Sequence, residues 1–86
     1  MPEISRFLGI VIRMYFADHE PPHFHASYQG MECQFRFSPV GVLAGSLPPR
    51  ALALVAEWTS LHQDELNENW DRLRAHQSPL PISPLE

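Results

Sequence analysis

Residues 23–37 alternate in a way that admits one strand pairing. Phe24, Ala26 and Tyr28 are apolar, as are Met31, Cys33 and Phe35, and Gln29–Gly30 separates the two runs. Successive side chains of a strand point to opposite faces, and a Gly in the second turn position suits a two-residue hairpin. Pairing Tyr28 with Met31, Ala26 with Cys33 and Phe24 with Phe35 places all six on one face. The opposite face then pairs Ser27 with Glu32, His25 with Gln34 and His23 with Arg36. A slip of one residue would bury Glu32, Gln34 and Arg36, so the pattern specifies the register. A hairpin with one apolar face needs a cover, and the rest of the chain must supply it.

The flanking segments extend the sheet. Residues 7–16 read as a first strand, with Leu8, Ile10, Ile12, Met14 and Phe16 on its apolar face and Phe7, Gly9, Val11, Arg13 and Tyr15 on a mixed one. Residues 17–22 form a loop, because Pro21 and Pro22 cannot donate to a ladder. Ser38–Pro39 supplies a second turn, and residues 40–45 read as a short, Gly-interrupted edge strand.

The cover is helical. Pro48 and Pro49 open a helix, with Ser46 as a plausible cap. Ala51, Val55, Trp58, His62, Leu66, Trp70 and Leu73 then recur at helical spacing. One helix of about 27 residues would be about 40 Å long and would overhang a small sheet. A break near Thr59–Gln63 relieves this, since Ser60 and Gln63 have capping-box spacing. Residues 49–76 are therefore one helix or two. Residues 77–86 contain Pro79, Pro81 and Pro84 and read as a Pro-rich loose tail. The expected fold is a single α+β domain over residues 1–76, with a three- to four-stranded antiparallel sheet and a C-terminal helix or helix pair packed on one face.

Composition narrows the function classes. A chain of 86 residues makes one domain that buries only about 60% of the surface its unfolded form exposes. Such a thin core would benefit from a protein partner or a homo-oligomer. There is no Lys, which rules out Schiff-base chemistry and a P-loop. The formal net charge is −4, so bulk charge will not coat nucleic acid. That charge is uneven. Arg6, Arg13, Arg36 and Arg50 balance Glu3, Asp18, Glu20 and Glu32, whereas only Arg72 and Arg74 oppose the six acids after residue 50. The acids Glu57, Asp64, Glu65, Glu68 and Asp71 read as a solvated helix face where a basic partner would bind.

Cys33 is the one cysteine. It excludes an internal disulfide or a Cys-based zinc site and suits a reducing cytoplasm. It falls on the core face of the hairpin, where a thiol is inert. No apolar run reaches the roughly 20 residues of a membrane span, so no membrane contact is expected. The opening residues read as a strand rather than a signal peptide.

Histidine carries the functional lead, with His19, His23 and His25 inside seven positions. His23 and His25 are two apart on a strand and share the polar face, away from the helix. Three readings compete. In a metal site, His23 and His25 bind Zn²⁺ or a similar ion, with His19 or Asp18 as a further ligand and a position left for water. In an acid–base site, His23 and His25 exchange protons while Arg36, with Arg13 beside it, holds a phosphate and Tyr15 stacks on a base, a metal-independent ribonuclease chemistry. In the third, the histidines brace the Pro-Pro loop and the flat polar face docks a protein. On the helix, His62 and Glu65 form at most a weak pair, and Trp58, Leu66 and Trp70 have core spacing.

The residues also resemble a known family. MPEISRFLGIVIRMYFADHEPPHFHA, then Gly45–Ala51, Glu57-Trp58, Leu61-His62, Glu65-Leu66 and Asn69-Trp70 are similar to small bacterial proteins of the domain of unknown function 4160 family. The likeness covers residues 1–75, and the string Asp18-His19 to Pro21-Pro22-His23-Phe24-His25 is its most specific part. The resemblance implies a standalone protein encoded beside a second small protein, hence a toxin–antitoxin-like pair. It carries over no catalytic residue, and residues 77–86 lie outside its pattern and are expected to be dispensable.

Together these point to a cytoplasmic protein-binding component of a two-gene module whose partner is the neighbouring gene product. The alternatives are a ribonuclease-type enzyme with His23, His25 and Arg36 as catalytic residues and a local RNA contact, or a metal-binding protein using His19, His23, His25 and Asp18, its metal left open with Zn as one candidate.

Overall fold

Five strands form one antiparallel meander, in the spatial order of the sequence. In this computed structural model, which describes residues 3–16 and 18–86, they are β1 (Glu3–Phe7), β2 (Ile10–Arg13), β3 (His23–Tyr28), β4 (Met31–Phe37) and β5 (Val40–Gly45). Helices α1 (Pro49–Leu61) and α2 (Gln63–Arg74) follow. Ala17, at the start of the expected 17–22 loop, and residues 1 and 2 lie outside the described residues.

The sheet has one strand more than expected, because residues 7–16 are not one strand. Leu8 and Gly9 both have positive φ, 51° and 81°, and this turn folds β1 back on β2, with Phe7 opposite Ile10. Two positive φ values are what a tight two-residue hairpin requires, and Gly9 is the position where they come without a Cβ penalty. The turn also reassigns faces. Phe7 is buried while Leu8 is 63% exposed, the reverse of the single-strand alternation. Ile10, Ile12 and Met14 do enter the core, but β2 ends at Arg13 and Phe16 is 47% exposed.

The β3–β4 hairpin has the register that its alternation predicts, from Tyr28–Met31 to His23–Arg36. Phe24, Ala26, Cys33 and Phe35 are buried, while Met31, at the turn, is exposed. β5 is an edge strand, as expected. Trp58 of α1 lies at the centre of the core, edge-on to Phe24 at 5.7 Å and 5.5 Å from Phe7.

The helical segment breaks at His62, whose φ of −126° is not helical. A continuous helix would exceed the longest dimension of the molecule, 34 Å. The break lies in the expected window, but no capping box forms there, because Ser60 Oγ donates back to the Ala56 carbonyl. Ser46 does not cap α1 either. Pro48 holds that position without a side-chain bond, and Pro49 opens the helix. The five acids named above are all exposed.

The Pro-rich segment 77–86, expected as a loose tail, is docked. The Asn69 side chain donates to the Leu80 carbonyl and accepts from the Leu80 amide, both at 2.8 Å. Trp58 Nε1 donates to the Ser83 carbonyl at 2.9 Å. Ile82 is buried, and its amide donates to the Ile4 carbonyl on the outer edge of β1. Extended Pro-rich backbone keeps its carbonyls free to accept, which lets polar side chains of the domain hold it.

Candidate metal centre

The sequence brings two rings together on β3, because residues two apart on a strand project from one face. His23 and His25 have centroids 5.2 Å apart. The preceding loop then delivers Asp18 across them. Its Oδ2 lies 3.1 Å from His23 Nε2 and 3.1 Å from His25 Nε2. One donor atom from each of Asp18, His23 and His25 lies within 4.8 Å of the others. A tetrahedral zinc with bonds of about 2.0–2.1 Å spaces its ligand atoms by about 3.3 Å, which the two 3.1 Å separations from Asp18 match.

His23 is not at the open surface. It is 1% exposed, because Trp70 of α2 packs against its ring at 5.6 Å. This corrects the expectation that the ring faces away from the helices. Trp70, read from its spacing as a core residue, is buried against that ring. Arg74 of α2 also pairs with Glu20 in the loop at 2.9 Å.

The proton positions follow from the partners. His23 Nδ1 lies 2.8 Å from the Pro21 carbonyl, which can only accept, so Nδ1 carries the proton. In the neutral ring, Nε2 then presents a lone pair. That atom is buried and unpartnered. It is close to Asp18 Oδ2 yet off the line of a hydrogen bond. His25 lies between two carboxylates, with Nδ1 2.9 Å from Glu32 Oε2 and Nε2 3.1 Å from Asp18 Oδ2. Without an ion the ring donates from both nitrogens, and the Nε2 proton is the one a metal would displace. Imidazoles whose far nitrogens are held by a carbonyl or a carboxylate are oriented as metal ligands are.

Asp18 is partly buried, which opposes its ionisation. The hydrogen bond with His25, the His19 amide and the charge that His23 and His25 carry when protonated outweigh that cost, and the carboxyl is held below its ordinary range. An ionised Asp18 is a ligand ready to use.

The other predicted residues fall outside this cluster. His19 stacks on His23 at 4.8 Å, with its side chain 66% exposed. Its Nδ1 meets the Glu20 carbonyl, and it is not one of the three converging donors. Arg36 pairs with His23 in the register, but its Nε donates to the Pro39 carbonyl at 3.0 Å. Tyr15 sets its ring edge-on to His25 at 4.6 Å. Cys33 is buried, as expected. His62 contacts Glu65 and lies against Trp58, remote in sequence from the cluster.

Two participants were not expected at the site. Glu32 was legible as a diagonal neighbour of His25 on the paired strands. The Trp70 cover over His23 had no local signature.

The arrangement offers two nitrogen ligands and one oxygen ligand. His25 and Asp18 keep some solvent access, with side chains 15% and 16% exposed, so a further coordination position can face water. Among the described residues no helix is long and apolar enough to cross a membrane. A family model described as "Domain of unknown function (DUF4160)" matches residues 9–71. No curated protein and no solved structure matches the chain.

Proposed function

We propose, for a chain that belongs to the DUF4160 family, that it binds a divalent transition metal of the zinc class through Asp18, His23 and His25. One observation carries this reading. The buried Nε2 of His23 is an unpartnered acceptor set 3.1 Å from a carboxylate oxygen. Two electron-rich atoms in that relation need a cation between them, a proton or a metal ion, and the off-line geometry at Nε2 favours the ion. Three protein ligands with a position open to solvent are the pattern of a catalytic rather than a structural ion, and the ion's chemistry there is to acidify a bound water.

Elemental analysis of protein purified without a His tag tests this. About one zinc per chain is expected, with melting raised by added Zn²⁺. His23→Ala and His25→Ala should each abolish both effects. A wild-type protein that stays metal-free and whose melting ignores Zn²⁺ rejects the reading.

A second reading concerns a cytoplasmic protein partner, the neighbouring gene product of a toxin–antitoxin-like pair. The observation in its favour is an asymmetry of the sheet. The outer edge of β1 receives the Ile82 amide, while β5 ends the sheet with no charged residue and with Val42 45% exposed. Bare apolar edges invite strand addition. Size-exclusion of the two proteins together should give a complex, and two separate peaks would count against it.

A further inference from the structure

Two arginines flank the histidine pair on the same sheet face. Arg13 on β2 is the cross-strand partner of His25, and Arg36 on β4 is the partner of His23. Directly opposed residues project on the same side, with Cβ atoms about 4.5–5.5 Å apart. Each guanidinium is held by one neutral oxygen. Arg13 Nη1 donates to Ser27 Oγ at 3.1 Å, and Arg36 Nε donates to the Pro39 carbonyl. Neither forms an ion pair among the described residues. Glu3, opposite Arg13 in the register, is engaged by Arg6. Both arginines are half-buried, so their stems are packed, and most of their five N–H donors remain to be used.

The anchors also set the two heads apart. Ser27 lies beyond His25 along β3, whereas Pro39 lies in the turn after β4, beyond His23. Anchors at opposite ends of the histidine pair draw the two guanidinium groups apart, an arrangement that suits separate phosphates of an extended strand better than one compact anion. Flat rings adjoin the same region. Tyr15 sets its ring edge-on to His25, and His19 presents an exposed ring stacked on His23. Such rings accept unstacked bases and not a duplex. The net charge of −4 disfavours long duplexes and leaves a short, local contact.

We propose that this face binds the phosphodiester backbone of a single-stranded oligonucleotide, with Arg13 and Arg36 each holding a phosphate on either side of the Asp18–His23–His25 cluster. The strand is the substrate class of the metal centre, and in that respect the inference rests on the metal reading. Binding itself does not need the ion.

The test is fluorescence anisotropy of the full chain with a fluorescein-labelled single-stranded RNA of about eight nucleotides, with zinc measured on the same samples. Arg13→Gln combined with Arg36→Gln should weaken RNA binding at least tenfold. The dependence of log affinity on log salt should become shallower by about 0.7 for each arginine removed. Arg50→Gln, on the exposed start of α1, should change neither. Zinc content should be the same in all variants. Wild-type protein that fails to bind the RNA, or a folded double variant that binds it like wild type, overturns the proposal. So does displacement of the RNA by inorganic phosphate at equal concentration, which would mean a single-phosphate site. A metal-free protein that binds RNA through both arginines supports this inference while rejecting the metal reading. A zinc-loaded protein without arginine-dependent RNA binding does the reverse.

Discussion

His23 donates its Nδ1 proton to the carbonyl of Pro21 at 2.8 Å. The loop that carries Asp18 therefore also sets the tautomer of the ring that Asp18 approaches. Ligand and orienting group come from one short segment, residues 18–23.

Glu32 orients His25 through Nδ1 without being one of the three converging donors. Glu32→Gln should lower zinc affinity by about 10–100-fold without abolishing binding. His19→Ala should change the affinity less than Glu32→Gln does, because the exposed His19 ring stacks on His23 and its Nε2 stays 3.8 Å from Asp18 Oδ1, outside the three converging donors. Calorimetric zinc titrations of the two variants check this order.

Asn69 is buried, and its side chain satisfies both backbone groups of Leu80. Asn69→Ala should cost about 2 kcal/mol, since it leaves partly buried backbone groups unpaired. Removing residues 78–86 should cost more, because Ile82 and the Ser83 carbonyl over Trp58 go with them. Urea unfolding followed by tryptophan fluorescence measures both, and a truncated chain as stable as the full one would show that the docked segment contributes nothing.

Gly45 has φ of +77°, and a Cβ built there would lie 2.3 Å from the Glu32 carbonyl oxygen. The obstacle is backbone, so it cannot rotate away. Gly45→Ala should destabilise the protein by about 2 kcal/mol or more, whereas Gly30→Ala, with nothing near its Cβ, should cost only the positive-φ penalty of about 1 kcal/mol. The same urea assay compares them.

Burial, and then the charge of Glu32, push the Cys33 thiol above its ordinary pKa. The folded protein therefore holds the thiol proton more tightly than the unfolded chain does. Its contribution to stability is complete below the unfolded value of about 8.5 and is lost as pH rises through the folded value. Thiol labelling at pH 8 should be slow in native protein and fast in urea. Cys33→Ala should flatten the fall in stability on the alkaline side.

The Arg74–Glu20 pair is exposed at both ends, 59% and 58%. Arg74→Ala should change stability by less than about 1 kcal/mol and leave zinc binding intact, since Trp70 covers His23 without it. Melting temperatures with and without Zn²⁺ test both halves of this expectation.

Part of this architecture was legible locally. The β3–β4 register follows from a side-chain period of two that gives only one pairing with no charge in the core. The helix break was legible because a straight helix would outrun the sheet. The Leu8–Gly9 turn was missed because Leu8, Ile10 and Ile12 keep period two across it, so alternation continues through a reversal. The turn was visible only in Gly9, and a Gly inside a strand pattern is ambiguous.

The sequence by itself determined that His23 and His25 share a sheet face, that Arg13 and Arg36 are basic residues suited to that face, and that Phe24 and Phe35 belong to the core. These are relations between chain neighbours or between strands joined by a tight turn, and period and turn chemistry encode them. Only the tertiary structure decided that a donor atom of Asp18 and not of His19 converges with those of His23 and His25, that Trp70 buries His23, and that Asn69 and Trp58 hold the C-terminal segment. Each joins residues whose meeting depends on where a loop, a helix or a tail comes to rest. That is settled by competition for buried surface across the whole domain, and no local pattern records it.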